Sequence, residues 1–433
     1  MQRIQTLFGA VAAALAAGAL VGDVAASAET TATLRAGVAK ADITPVKPVM
    51  LAGYGSRKDL SQGVHDPLSA RVVAFEQDGR RLVLVSADLL GFYGGSDKVL
   101  RKAILEACRL KPSELFLAAV HTHAGPVITL QNEKVHANNV KYLKMLQTRL
   151  VDVVREALAH TTPVQIGVAT GSSPVGVNRR QPVHNADGTQ KIVLGRNPAG
   201  PTDPEVQVLR VANAGTGDVS AVVFGYATHS TSLGPRNYLV SGDVHGLAEQ
   251  FLEKHLGGNV VAPAFAGASG NIDPWFRVLP EFRTELDWVP EPVLLGTMLG
   301  EEVAHVLDRT RPPKAGGPIA TAMKTLALPA KDRANIDAAT GGESPEFQLT
   351  VGRIGDVGVV GLGGEVFSQL GKAIKEASPF PTTLIITHCN GAAGYVPTKE
   401  AYPEGGYEVR TSPFAPEAAE VLVREAVTLL REL

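Results

Sequence analysis

Arg71-Val72-Val73-Ala74-Phe75-Glu76 and Arg81-Leu82-Val83-Leu84-Val85-Ser86, set either side of Asp78-Gly79, decide how the rest of this chain is read. Two apolar, β-branched runs about an Asp-Gly pair predict a hairpin. Just downstream, Leu100, Ile104, Leu105 and Cys108 recur at helical spacing, which predicts a helix over 98–110 and makes Cys108 a core residue rather than a reactive thiol. A short apolar run over 115–120 then reads as a buried strand. Hairpin, helix and strand in that order point to a mixed α and β architecture, and the same alternation continues. Leu143, Leu146, Leu150, Val153, Val154 and Ala157 form one stripe of a long helix over 140–160. Strands are predicted over 164–169, 206–212, 219–226, 260–265, 347–354, 357–362 and 383–387, and helices over 246–255, 293–307, 367–377 and 416–431. The expectation is an α/β (mixed α+β) fold, a single large catalytic domain on mixed sheets with flanking helices. The Pro- and Gly-rich stretch 314–321 is the best candidate for an internal boundary.

Composition narrows the function. In 433 residues, Lys+Arg 41 against Asp+Glu 43 gives a net charge of -2, without the basic footprint of a nucleic-acid binder. Two cysteines, Cys108 and Cys389, cannot build a Cys-rich zinc module or an iron-sulfur cluster, so any metal must be held by His, carboxylate or other oxygen. Arg3, the apolar run 7–21 and the small residues Ala26, Ser27 and Ala28 read as a secretory signal peptide over 1–28. The mature domain, 29–433, is then expected in a periplasm or outside the cell. Cys108 and Cys389 could pair there if the fold brings their Cα atoms within about 7 Å.

Polar clusters follow the predicted strands. In Val120-His121-Thr122-His123-Ala124-Gly125-Pro126, two histidines at spacing two would face one site if the segment is extended. His229 follows the strand ending at Tyr226. Glu365 follows Gly363-Gly364, where the backbone can turn tightly and present the carboxylate. A His-x-His after a strand also suits an amidohydrolase barrel, but there the pair belongs on the first strand, and His121 lies behind at least two others.

The fuller resemblance is to the neutral, alkaline, non-lysosomal ceramidases. It runs from Gly37-Val38-Ala39-Lys40-Ala41-Asp42-Ile43-Thr44-Pro45 through Gly53-Tyr54, Gly63-Val64-His65-Asp66 and Val85-Ser86-Ala87-Asp88-Leu89, and is strongest at His121-Thr122-His123-Ala124-Gly125-Pro126. The resemblance implies one Zn²⁺ per chain, held by His121, His229, Glu365 and Tyr395, the last within Asn390-Gly391-Ala392-Ala393-Gly394-Tyr395. It implies that His123 contacts the reacting amide, that Arg179 reaches the active site, and that Tyr407, with Tyr395, holds the substrate oxygen. The donor set suits zinc, which acidifies a bound water to about pKa 7 and needs no serine or cysteine nucleophile.

Two features depart from the family pattern. Gly270-Asn271-Ile272-Asp273-Pro274 places Asp273 where the family has a serine, and no stretch is left for the family's C-terminal immunoglobulin-like domain. The reading is therefore a secreted zinc-dependent amide hydrolase taking an N-acyl or lipid-like small molecule, with peripheral membrane contact compatible with it. The alternatives are the same metal site rebuilt for a polar acyl, amino or sugar substrate, with Asp273 as a catalytic or substrate-pairing anion, and a non-catalytic lipid- or glycan-binding protein.

Overall fold

Strands buried on both faces need a layer on each side, and this chain supplies four layers. The computed structural model describes residues 33–275, 291–310, 314–315, 317–331 and 346–433. The expected leader therefore lies outside the described residues. The hairpin forms as Ser69–Gln77 and Arg80–Ala87, in antiparallel register from Ala70 opposite Ala87 to Gln77 opposite Arg80, with Asp78 and Gly79 both at positive φ in the turn. Along it, Val72, Ala74, Val83 and Val85 join one core, and Val73, Phe75, Leu82 and Leu84 join another. That alternation is why the run is apolar at every position.

A nine-stranded sheet runs in the order Ala264–Ala266, Val219–Tyr226, Glu205–Asn213, Thr162–Ser172, Arg35–Asp42, Ser69–Gln77, Arg80–Ala87, Leu115–Ala119, with Lys314–Ala315 paired to Thr162–Ser172. A four-stranded sheet holds Ile319–Leu326, Phe347–Ile354, Val357–Leu362 and Thr382–Ile386. The two sheets share an inner core, in which Phe75, Leu84, Phe116, Val211 and Phe265 meet Ile354, Val359, Leu384 and Ile386. Outside the large sheet lie Ser96–Cys108 and Ala137–Ala159 on one half, and Asp243–Leu256 and Glu291–Asp308 on the other. Outside the small sheet lie Ser368–Ala377 and Ala418–Arg431. Helix, sheet, sheet and helix is the sandwich the alternation implied.

Three expectations change. Thr33–Leu433 forms one compact unit, so 314–321 is no domain boundary: it carries the chain from the large sheet to the small one. The strand expected over 260–265 shrinks to Ala264–Ala266, because Val261 meets Ala221 only through an isolated bridge. Cys108 and Cys389 are both free and buried, in different cores. No helix among the described residues is long and apolar enough to cross a membrane.

Candidate metal centre

Parallel neighbours end at the same edge, and three such pairs bring their carboxyl ends together here. Leu115–Ala119 runs parallel to Arg80–Ala87, Val219–Tyr226 to Ala264–Ala266, and Val357–Leu362 to Thr382–Ile386. The segments that leave these ends carry His121, His229, Asp273, Glu365 and His388. Crevices outside the carboxyl ends of parallel strands are where α/β sheets place ligands. Thr387 joins the two sheets at this edge, its N–H donating to the Ala266 carbonyl at 2.8 Å and its hydroxyl to the Gly267 carbonyl at 2.9 Å.

The histidine turn is not the extended segment expected. His121 sits at φ 62, in the left-handed region, and the chain there is stitched on both sides: Thr122 N–H donates to Leu89 O at 3.1 Å and His123 N–H to Ser230 O at 3.0 Å. Convergence comes from this turn rather than from strand alternation. His123 Nε2 lies 3.3 Å from His121 Nε2. Nδ1 of His121 donates to the Leu90 carbonyl at 2.6 Å, and Nδ1 of His229 to Ser269 O at 2.8 Å and Ile272 O at 3.0 Å. Carbonyl partners at Nδ1 leave each Nε2 as a lone pair directed at the centre.

Glu365 is delivered by a close backbone approach. A Cβ on Gly364 would lie 2.7 Å from Gly394 O, so only glycine lets Glu365–Val366 pair in parallel with Tyr395–Val396. That pairing sets Glu365 and Tyr395 side by side. Glu365 Oε2 is 3.5 Å from both His121 Nε2 and His229 Nε2. Ligands on a tetrahedral ion with bonds of about 2.0–2.1 Å are spaced by about 3.3–3.4 Å. Both Glu365 Oε2 and His229 Nε2 are buried with no hydrogen-bond partner, an arrangement that is costly unless a cation fills it. The donors therefore fit a metal ion. The ring nitrogens of His121, His123 and His229 lie within 4.8 Å of one another, so His123 is also in range, through His121 rather than through the carboxylate.

Electrostatics favour the ligand forms. Burial works against the Glu365 carboxylate, but the close approach of His121 and His229, with His388, holds it well below the usual range. Burial pushes His123 well below its ordinary value, aided by His121 and His229, and lowers His229, aided by Arg179. Burial, then Glu365, keeps the Tyr395 hydroxyl protonated far above its usual range, against the opposing Arg179.

Arg179 lies beside Tyr395 and Asp273. Its Nη2 donates to the Tyr395 hydroxyl at 3.1 Å, its Nη1 to Asp273 Oδ1 at 3.2 Å and its Nε to Glu408 Oε1 at 2.7 Å. Asp273 is buried but paired: Arg196 Nη1 also reaches its Oδ2 at 3.3 Å. Tyr407 is 38% exposed, with its ring 5.8 Å from that of Tyr395, which puts it at the rim of the site. The sequence reading missed three participants. His388 stacks on His121 with ring centroids 3.8 Å apart and planes 11° apart, and its Nε2 is buried without a partner. The strand-end rule that found His229 would have found it. Arg196 and Glu408 carry no such signal, although Glu408 adjoins Tyr407.

Comparisons with known proteins agree with this geometry. A family model described as neutral/alkaline non-lysosomal ceramidase, N-terminal, matches residues 34–272. Neutral ceramidase of Mycobacterium tuberculosis is 28% identical over 48% of this chain and 34% of its own length. Neutral ceramidase 1 of Arabidopsis thaliana is 27% identical over 50% of this chain and 28% of its own length. For neutral ceramidase of Pseudomonas aeruginosa the figures are 27%, 58% and 39%. The matched stretches thus span about a third of these relatives. In fold, the crystal structure of neutral ceramidase from Pseudomonas aeruginosa superposes with a TM-score of 0.74 at 20% identity, over 93% of this chain and 75% of that one.

Proposed function

This chain belongs to the neutral/alkaline non-lysosomal ceramidase family, and from that premise we propose that it is a secreted or periplasmic, zinc-dependent hydrolase of N-acyl amides. The observation that carries the reading is the partnerless pair of Glu365 Oε2 and His229 Nε2, 3.5 Å apart, with His121 Nε2 equally close to the carboxylate. His121, His229 and Glu365 would hold the ion, with Tyr395 as the fourth ligand. When bound, zinc supplies Lewis acidity, polarising a carbonyl and bringing the pKa of water to about 7.

The chain's own groups do the rest. His123 is held neutral by burial, so its ring can take the proton of the attacking water and return it to the leaving amine. Arg179 and Tyr395, already hydrogen-bonded to each other, offer N–H and O–H donors to the oxygen that gains charge as water adds to the carbonyl. Tyr407, at the rim, orients the substrate on that side. The products are a carboxylate and an amine.

Metal analysis of the purified protein, with a screen of N-acyl substrates of differing chain length, tests the reading. About one zinc per chain and metal-dependent release of amine are expected. A metal-free protein that hydrolyses none of them, even after zinc is added, overturns it. A second reading, a substrate more polar than ceramide, is favoured by the Asp273–Arg196 pair, which adds an ion pair beside the Tyr395–Arg179 donors. Faster turnover of short-chain or charged N-acyl substrates than of long-chain ceramide would support it.

A further inference from the structure

Consecutive residues of a strand point to opposite faces, yet Arg179 and Arg180 reach the same carboxylate. The register of Gly176–His184 against Gln190–Asn197 is irregular at this point. Asn178 lies opposite Asn197 and Arg180 opposite Leu194, so Arg179 has no partner in that ladder, and its N–H donates instead to Asn271 O at 2.9 Å. Two residues, Gly195 and Arg196, stand there against the single Arg179, so the extra residue belongs to Gln190–Asn197, and bulges gather beside active sites. Beside this irregularity both guanidiniums reach Glu408, whose Oε1 accepts from Arg179 Nε at 2.7 Å and whose Oε2 accepts from Arg180 Nη1 at 2.9 Å.

Glu408 is completely buried on the short helix Tyr407–Thr411, next to the rim residue Tyr407. Arg180 is anchored in turn by Glu404 Oε2 at 3.0 Å and by Gly405 O at 2.9 Å. Three guanidiniums, of Arg179, Arg180 and Arg196, are thus interleaved with three carboxylates, of Asp273, Glu404 and Glu408. Within this array Arg179 is bound at Nε by Glu408, at Nη1 by Asp273 and at Nη2 by Tyr395. A planar guanidinium gripped on two edges has one orientation left for its third.

We propose that Glu408 is a positioning residue for the reaction argued above: it fixes the guanidinium of Arg179 so that Nη2 meets the Tyr395 hydroxyl. The proposal rests on the hydrolase reading for its kinetic part only. It predicts that Glu408 acts through Arg179 and therefore has no effect where Arg179 is missing.

The test is a double-mutant cycle on the full-length, metal-loaded protein, with Glu408→Gln, Arg179→Ala and both together. Glu408→Gln keeps the size and one acceptor but removes the charge. It should lower kcat about 10- to 100-fold with KM changed less than about threefold and metal content unchanged. In the Arg179→Ala background, the same substitution should change kcat less than about threefold. Multiplicative effects in the double variant overturn the proposal, because Glu408 would then act independently of Arg179, as a merely structural residue would. A crystal structure of Glu408→Gln gives a readout that needs no substrate. Loss of the Arg179–Tyr395 hydrogen bond is expected, and an unmoved Arg179 overturns the proposal. If the unmodified protein hydrolyses no amide, the hydrolase reading fails while the crystal structure still decides the positioning of Arg179.

Discussion

His229 and His123 differ in what their second ring nitrogen touches, and that difference separates their roles. Two carbonyls hold Nδ1 of His229, whereas Nδ1 of His123 is buried without a partner against Gly53 and Tyr54. His229→Ala should abolish stoichiometric zinc, read by elemental analysis. His123→Ala should keep the metal and lower kcat about 10²- to 10⁴-fold, the range for loss of a general acid-base group. Equal zinc loss in both variants would reverse the assignment. Asp273 differs from the sequence expectation in one physical respect: its charge is matched by Arg179 and Arg196, so it does not stand as a bare anion against an acyl chain. Asp273→Ser should take one carboxylate from each of those guanidiniums, Arg179 keeping Glu408, and destabilise the protein by about 2–3 kcal/mol in urea unfolding. That lies below the usual cost of breaking a buried pair because Arg196 is partly exposed. Arg196→Ala in the Asp273→Ser background should recover part of the loss, since the guanidinium that has lost its Asp273 partner is then removed.

At the scale of elements, short turns set the site more tightly than the strands they leave. Gly53 lies at φ 94, and a Cβ there would fall 2.4 Å from His123 Nδ1. Gly53→Ala should therefore strain the backbone and push the His123 ring, lowering kcat at least tenfold while zinc content stays unchanged. The same contrast explains what could be read without coordinates. The strands Val219–Tyr226, Phe347–Ile354 and Val357–Leu362 were legible to the residue, because burial over most of their length writes a largely apolar, β-branched run. Gly176–His184 and Gln190–Asn197 were not. They form a small polar hairpin extension, part exposed, whose side chains carry neither period. His121 was read on an extended segment, and the turn that holds it escaped notice because a left-handed residue inside a turn leaves no periodic trace. Glu408 was invisible because the guanidiniums it meets, Arg179 and Arg180, stand more than 200 residues earlier.

For the whole molecule, acid should undo stability well before the carboxylates that face solvent are protonated. His245 is fully buried between Ser230 Oγ, 2.8 Å from Nδ1, and the Tyr226 carbonyl, 3.2 Å from Nε2, and burial lowers its pKa to about 4. Its folded value is depressed below that of the unfolded chain, near 6.5. The unfolded state therefore binds the extra proton first as pH falls, and stability drops between those two values. This imidazole alone should cost about 2 kcal/mol on going from pH 7 to pH 5, measured by urea unfolding, and His245→Asn should flatten the slope by that amount. Removing metal should act on the same scale. Chelation of a site filled at 1,000 times its Kd withdraws about 4 kcal/mol, visible as a lowered Tm.

The donors come from both layers of the sandwich: His121 and His229 leave strands of the large sheet, and Glu365 leaves the small one. Neither sheet alone can assemble them. Capture of the proposed ion would thus be a final inspection of the finished fold, which a chain with its sheets misjoined would fail, and metal content in a purified batch would count correctly assembled molecules.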